Sequence, residues 1–229
     1  MEPDNLIAFH PEKFLNQVQN HLFPNSMRMT SFENSGLDKE QVNALIRSRR
    51  SVFTNQFVPG REIPDVWIWQ LLENARWAPS HKLTQPWQFT VFAGAGRQRL
   101  AIFQAELYKQ KSGDKFKQDK YQKLLRTPLE SSHVLAIGMK RSLTANIPEV
   151  EEVAAVACAV QNIYLGVTAF GLGGYWSTGG VTYYEEAKPF FGLEEQDKLL
   201  GFFYLGFVQI PSPKTSRIPI SEKTRWVGE

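Results

Sequence analysis

The segment from Pro148 to Gly171 constrains the fold more than any other. Val153, Ala157, Val160, Gln161, Tyr164 and Thr168 recur at helical spacing and form an apolar side, and Gly171 supplies a C-terminal stop. Ala154, Ala155, Ala157 and Ala159 are small enough to admit close neighbours on both sides. The pattern predicts a long helix from about Pro148 to Phe170 that is buried in a core or in a subunit interface, so the rest of the chain must supply elements to cover it.

Those elements can be read in turn. Asp38 can cap a helix carrying Gln41, Val42, Leu45 and Ile46, and Arg47, Arg49 and Arg50 fall at its C-terminal end. Pro64 opens a second helix that stops at Ala78-Pro79. Alternation over Trp87 to Ala93 predicts a strand, a basic helix follows around Arg97 to Gln110, and Tyr121 to Arg126 continue helical. His133 to Met139 is apolar on both faces and is expected to be a central strand. A short strand at Gly174 to Trp176, a helix near Tyr183 to Phe191 and a strand from Gly201 to Gln209 complete the series. Non-consecutive strands among segregated helices indicate an α+β fold, with a mixed or antiparallel sheet flanked by helices. Residues 1–37, with one short helical candidate from Pro11 to His21, read as an N-terminal extension to a domain over 38–229.

Composition narrows the function. With 42% hydrophobic and 21% charged residues the 229-residue chain is neither disordered nor fibrous, and its single cysteine, Cys158, excludes an intrachain disulfide. The four histidines lack close metal-ligand spacing, so no metal is expected. No signal peptide or membrane span is evident, and a cytoplasmic location is expected. The net charge of +3 hides an uneven distribution, because residues 41–61 hold four arginines and no acid. Residues 97–126 are also basic, but their helical spacing fits a solvated face better than a nucleic-acid surface. Neither Gly-x-Gly-x-x-Gly after a strand nor a phosphate-loop Gly-Lys-Ser is present.

Three segments can carry chemistry. Arg49-Arg50-Ser51 offers two guanidiniums and a hydroxyl that can grip a phosphate, or that simply cap a helix C-terminus. Ala78 to Trp87 is a polar loop pinned by Pro79 and Pro86, either a ligand loop or an ordinary connection. Gly171 to Gly180 places five glycines around Trp176, which lets a planar ligand approach the backbone; helix termination explains only Gly171 and one neighbour.

Together these segments resemble the nitroreductase family of flavin mononucleotide (FMN) enzymes. The resemblance rests on Arg49-Arg50-Ser51-Val52, Ala78-Pro79-Ser80 with Gln85-Pro86-Trp87-Gln88-Phe89, Gln161-Asn162 with Phe170-Gly171-Leu172-Gly173, and Asp197 to Gly206. It covers about residues 40 to 220, and His81-Lys82 with Glu195 to Lys198 resemble the small, minimal bacterial type. It implies a homodimer with FMN at the interface, NADH or NADPH as electron donor, and ping-pong hydride transfer to a nitroaromatic, quinone or similar acceptor. Arg49, Arg50 and Ser51 would hold the phosphate and ribityl end, and Trp77, His81 and Gln85 the ring or ribityl chain. His81 or Lys82 would place positive charge at the ring edge. Trp176, Ser177 and Thr178 would reach the flavin from the partner subunit, and Arg217, with Lys214 less secure, would belong to a basic phosphate-binding tail. Gly166, Val167, Thr168, Ala169, Phe170 and Gly171 would meet the nicotinamide nucleotide. No side chain is strictly catalytic, because the flavin carries the chemistry. Phe53 stands where the family has a second basic residue, and Leu83 where it often has Asn, which shifts grip toward Lys82 or Arg217. A non-turnover flavin carrier and a dehalogenase-like member are the competing readings.

Overall fold

The computed structural model describes Gly36 and residues 38–228, so residues 1–35 and the helical candidate there lie outside the described residues. The chain divides into two compact units, Met1–Arg47 and Ser48–Glu229. Helix α1 (Lys39–Ser48) begins where Asp38 Oδ1 accepts the Glu40 N–H at 2.9 Å, the expected cap.

The second unit is built on one antiparallel sheet of four strands, β1 (Trp87–Phe92), β2 (His133–Met139), β3 (Leu172–Ser177) and β4 (Lys198–Phe207), in the order β1-β2-β4-β3. All seven residues of β2 are buried, as its unbroken apolar run demands of an inner strand. Strand β4 begins three residues earlier than the sequence suggests, at the polar Lys198. Its register slips opposite Ile137 and Gly138, and Gly201 takes φ +124, where an added Cβ would lie 2.3 Å from the Ser177 carbonyl. This bulge needs glycine.

One face of the sheet, through Leu135, Ile137, Phe203 and Leu205, packs on α2 (Asp65–Arg76) and α5 (Glu149–Ala169). Helix α5 is the long helix read from the sequence. Gly166 allows it to meet α2, since a Cβ there would stand 2.6 Å from Leu71 Cδ2. Among the described residues only α5 is long and apolar enough to cross a bilayer, and here it forms the centre of this core. The other face, through Val134, Ala136, Phe202 and Tyr204, is covered by α3 (Ala95–Ser112). Helix α4 (Gln118–Arg126) packs beside α3. The segment expected as a helix near Tyr183–Phe191 is a 3-10 turn, Glu185–Phe191, with Pro189 inside and Gly192 at φ +68 to end it.

The glycine-rich segment differs most from its sequence reading. Gly173 and Gly174 belong to β3, and Cβ atoms there would lie 2.8 Å from Phe57 and 2.6 Å from Phe203. Rings press on the strand from both faces at these positions and leave no room for a Cβ. Gly171 and Gly180, at φ +68 and +71, are the turn residues.

Candidate functional site

The backbone delivers Arg49 to Val52 to the edge strand of the sheet, where the Val52 N–H donates to Gly174 O at 2.9 Å. Here three of the expected residues converge on Tyr164, a buried residue of α5. The Arg49 guanidinium lies 4.8 Å from the centre of the Tyr164 ring. Ser51 Oγ is 3.5 Å from the Tyr164 hydroxyl, and the Trp176 N–H donates to that hydroxyl at 2.8 Å. Tyr164 was legible only as part of an apolar helix face; its hydroxyl finds these partners through the register of β3.

Arg49 is half-buried and, among the described residues, pairs with no carboxylate. A guanidinium so placed keeps its forked donors available to an anion. The Arg50 Nη1 donates to Arg49 O. Beside the cluster, Ser212 Oγ donates to Ser51 O at 2.8 Å, anchoring the chain that continues to Lys214 and Arg217. Arg217 is exposed and bonds within its own loop, to Thr215 Oγ1 at 2.7 Å and Ser216 O at 3.0 Å.

Trp176 is oriented within its own chain, since its indole N–H donates to Leu200 O at 3.0 Å. Arg49, Ser51 and Trp176 therefore stand together in one chain. Phe53 turns its ring onto Tyr175, with centroids 4.5 Å apart, so this place carries aromatic surface instead of charge.

The second group is the loop after α2. Trp77 is exposed, and its indole N–H donates to Glu73 Oε1 at 3.1 Å. His81 Nδ1 pairs with Glu151 Oε2, and Lys82 Nζ donates to Ala145 O at 2.7 Å. The Gln85 N–H donates to Ser80 Oγ at 3.3 Å. Lys82, Leu83 and Gln85 all adopt positive φ, between 47° and 55°. Such left-handed side-chain-bearing residues are uncommon, and they concentrate where a loop holds a working geometry.

His81 and the Arg49 cluster do not meet. Glu151 holds His81 at the first turn of α5 and Tyr164 holds Arg49 near its last, about 20 Å apart along the axis at a rise of ~1.5 Å per residue. In the segment expected to face a nicotinamide, Gly166 and Val167 are buried in the helix packing, and only Thr168 to Gly171 retain surface. Thr168 Oγ1 donates to Tyr164 O at 2.8 Å.

Ser132, His133 and Asp65 also form a hydrogen-bonded chain, with Ser132 Oγ 2.8 Å from His133 Nδ1 and His133 Nε2 3.1 Å from Asp65 Oδ1. Ser132 and His133 are buried, and Ser132 Oγ accepts the Ile63 N–H at 2.6 Å, so this chain ties α2 to the sheet. Among the described residues no cluster of three His, Cys, Asp or Glu could hold a metal.

The chain is 32% identical over 143 residues to the Escherichia coli (strain K12) protein YdjA, whose name assigns it provisionally to the NAD(P)H nitroreductases; this covers 62% of the chain and 76% of YdjA. The fold matches the crystal structure of a nitroreductase-like family protein from Bacillus cereus, at 24% identity and a TM-score of 0.69 over 87% of this chain and 98% of that one. It also matches the FMN-dependent nitroreductase NfnB from Mycobacterium smegmatis, solved with NADPH, at 23% identity and a TM-score of 0.63 over 83% and 100% of the two chains. Residues 46–207, which include the Tyr164 cluster and all four strands, match the model of the nitroreductase family, and the chain belongs to that family of oxidoreductases.

Proposed function

We propose that this protein is an FMN-dependent NAD(P)H oxidoreductase that reduces nitroaromatic, quinone or similar electron-poor acceptors, and that it works as a homodimer. The observation that carries this reading is the convergence of Arg49, Ser51 and Trp176 on Tyr164, with the Arg49 guanidinium open to an anion. That donor set fits a phosphate monoester and the ribityl chain next to it. FMN bound there supplies hydride exchange between the nicotinamide donor and the acceptor, in alternation.

The chain's own residues then position and neutralise. Arg49 and Ser51 hold the phosphate end. Tyr164 fixes both, and Ser212 keeps the basic tail with Arg217 beside them. With Phe53 turned onto Tyr175, the charge expected at that place falls to Arg49 and Arg217. His81 is held about 20 Å from Tyr164 along α5, so the loop that carries it, with Lys82 and Gln85, serves the flavin of a second copy, and Trp77 stands where the loop leaves α2. In this arrangement Lys82 brings positive charge to the ring edge, where it favours the reduced flavin. Trp176, Ser177 and Thr178 meet the flavin from the same chain as the arginines.

The test is Arg49→Glu. It is expected to abolish flavin retention, read as loss of flavin absorbance, with circular dichroism and sedimentation unchanged; full flavin occupancy in this variant rejects the phosphate assignment. Anaerobic bleaching of the wild type by NADH or NADPH, followed by reoxidation with a nitroaromatic, separates an enzyme from a flavin carrier.

A further inference from the structure

A cavity of about 700 Å³ opens on the face of β3 opposite to Tyr164. Its walls come from Phe53 and Tyr175, from α4 and from the Ser177–Gly180 turn. At its floor lie Gln104 and Tyr204, both almost wholly buried. The Gln104 amide nitrogen is out of reach of solvent, and the Tyr204 hydroxyl is the one group close enough to engage it, so at least one of its two N–H donors has no acceptor among the described residues. A buried amide donor left unpaired is costly, and it points to an acceptor that arrives with a ligand. Tyr204 stands beside it; burial pushes its phenol proton well above the ordinary tyrosine range, against a smaller downward pull from the Gln104 amide, so it presents a neutral hydroxyl.

The mouth has the opposite character. Lys120, Lys123 and Arg126 line it together with one acid, Glu130. Arg126 pairs with Glu130 at 2.9 Å, and Glu130 also accepts from Thr54 Oγ1 at 2.7 Å. Neither lysine pairs with a carboxylate among the described residues, and Lys120 Nζ rests over the Tyr108 ring at 4.5 Å. The site thus joins two net positive charges at the mouth, an aromatic wall at Phe53 and Tyr175, and neutral donors at the floor.

We propose that this cavity binds a planar aromatic carboxylate that carries a second hydrogen-bond acceptor at the end of the ring remote from the acid. The carboxylate meets Lys120 and Lys123, the ring lies against Phe53 and Tyr175, and the far acceptor takes the Gln104 N–H. Cavities of this size hold small organic ligands, with a few placed polar groups setting orientation. The proposal does not depend on the flavin reading. Ser177 and the Phe53 position are shared between this wall and the flavin contacts proposed above, which is why flavin is followed in the test.

The probes are 4-acetylbenzoate, acetophenone and benzoate, titrated calorimetrically into the full chain as purified, without reductant. The acetyl acid is expected to bind, while acetophenone, lacking the charge, and benzoate, lacking the far acceptor, each bind about tenfold more weakly or worse. Gln104→Leu is expected to reduce affinity for 4-acetylbenzoate by a similar factor and to leave benzoate unchanged. Lys123→Gln, at the exposed rim where folding is not at stake, is expected to weaken both acids and to flatten the salt dependence. Absence of binding to the wild type, equal affinity for acetyl acid and ketone, wild-type affinity in both variants, or release of bound flavin on titration overturns the proposal.

Discussion

Leu83 shows what a single residue can conceal. It sits at φ +55 with 79% of its surface exposed, so no burial offsets a conformation that costs an L-residue about 1–2 kcal/mol. Asparagine visits this region far more readily, and Leu83→Asn is expected to stabilise the protein by about 1 kcal/mol, a rise of roughly 2–4 °C in Tm. A lowered melting temperature in that variant would show that the loop draws support from the leucine itself. From sequence, Leu83 was legible as a departure from its relatives but not as a strained position, since φ is set by how Ser80 and Thr84 tie the loop. Tyr164 was hidden for a related reason: helical spacing reports the face a residue occupies, not the partners its hydroxyl will find. Tyr204 carries a pH signature. Its proton is held in the fold while an unfolded tyrosine loses it near pH 10, so the unfolded state binds fewer protons above that pH. Stability should therefore fall as pH rises through about 10, and Tyr204→Phe should flatten that slope in chemical denaturation at a pH series.

At the scale of elements, the apolar runs were the most legible part of the chain. The buried strand at His133–Met139 and the helix along Glu149–Ala169 follow from residue order, because an inner strand leaves an unbroken apolar run and a core helix a long apolar stretch; the buried side of that helix, through Val156, Val160, Ile163 and Val167, only partly coincides with the side marked by Val153, Ala157, Gln161 and Thr168. Strand β4 runs past Gly201 to Leu199 and Lys198 because antiparallel pairing with Gly138 and Met139 carries it across the bulge, a tertiary effect that a glycine in the sequence conceals. The glycines of β3 read as ligand loop for lack of a third dimension: nothing in Gly173-Gly174 announces that Phe57 and Phe203 will press on them. Gly174→Ala would place a methyl 2.6 Å from the Phe203 ring in a packed core, and a loss of about 1–3 kcal/mol is expected in denaturant titration. An unaltered midpoint would mean that Phe203 can yield.

For the whole molecule, α5 acts as a ruler. It fixes the Arg49 cluster at one end and the His81 loop at the other, and a symmetric pair of chains is the simplest way to bring unlike ends together. The sequence supplied both groups of residues but not their separation, which depends on where each docks along one helix. That separation has a genetic consequence. If every flavin site draws its arginines from one chain and its loop from the other, an Arg49→Glu chain and a chain disabled at Gln85 damage different halves of the same site. Each homodimer would be empty. Mixed and reassociated at equal amounts, the two defective proteins should restore about a quarter of the wild-type flavin content, because half of the random dimers are hybrids and each hybrid holds one undamaged site. Two silent alleles would then complement one another in a single cell.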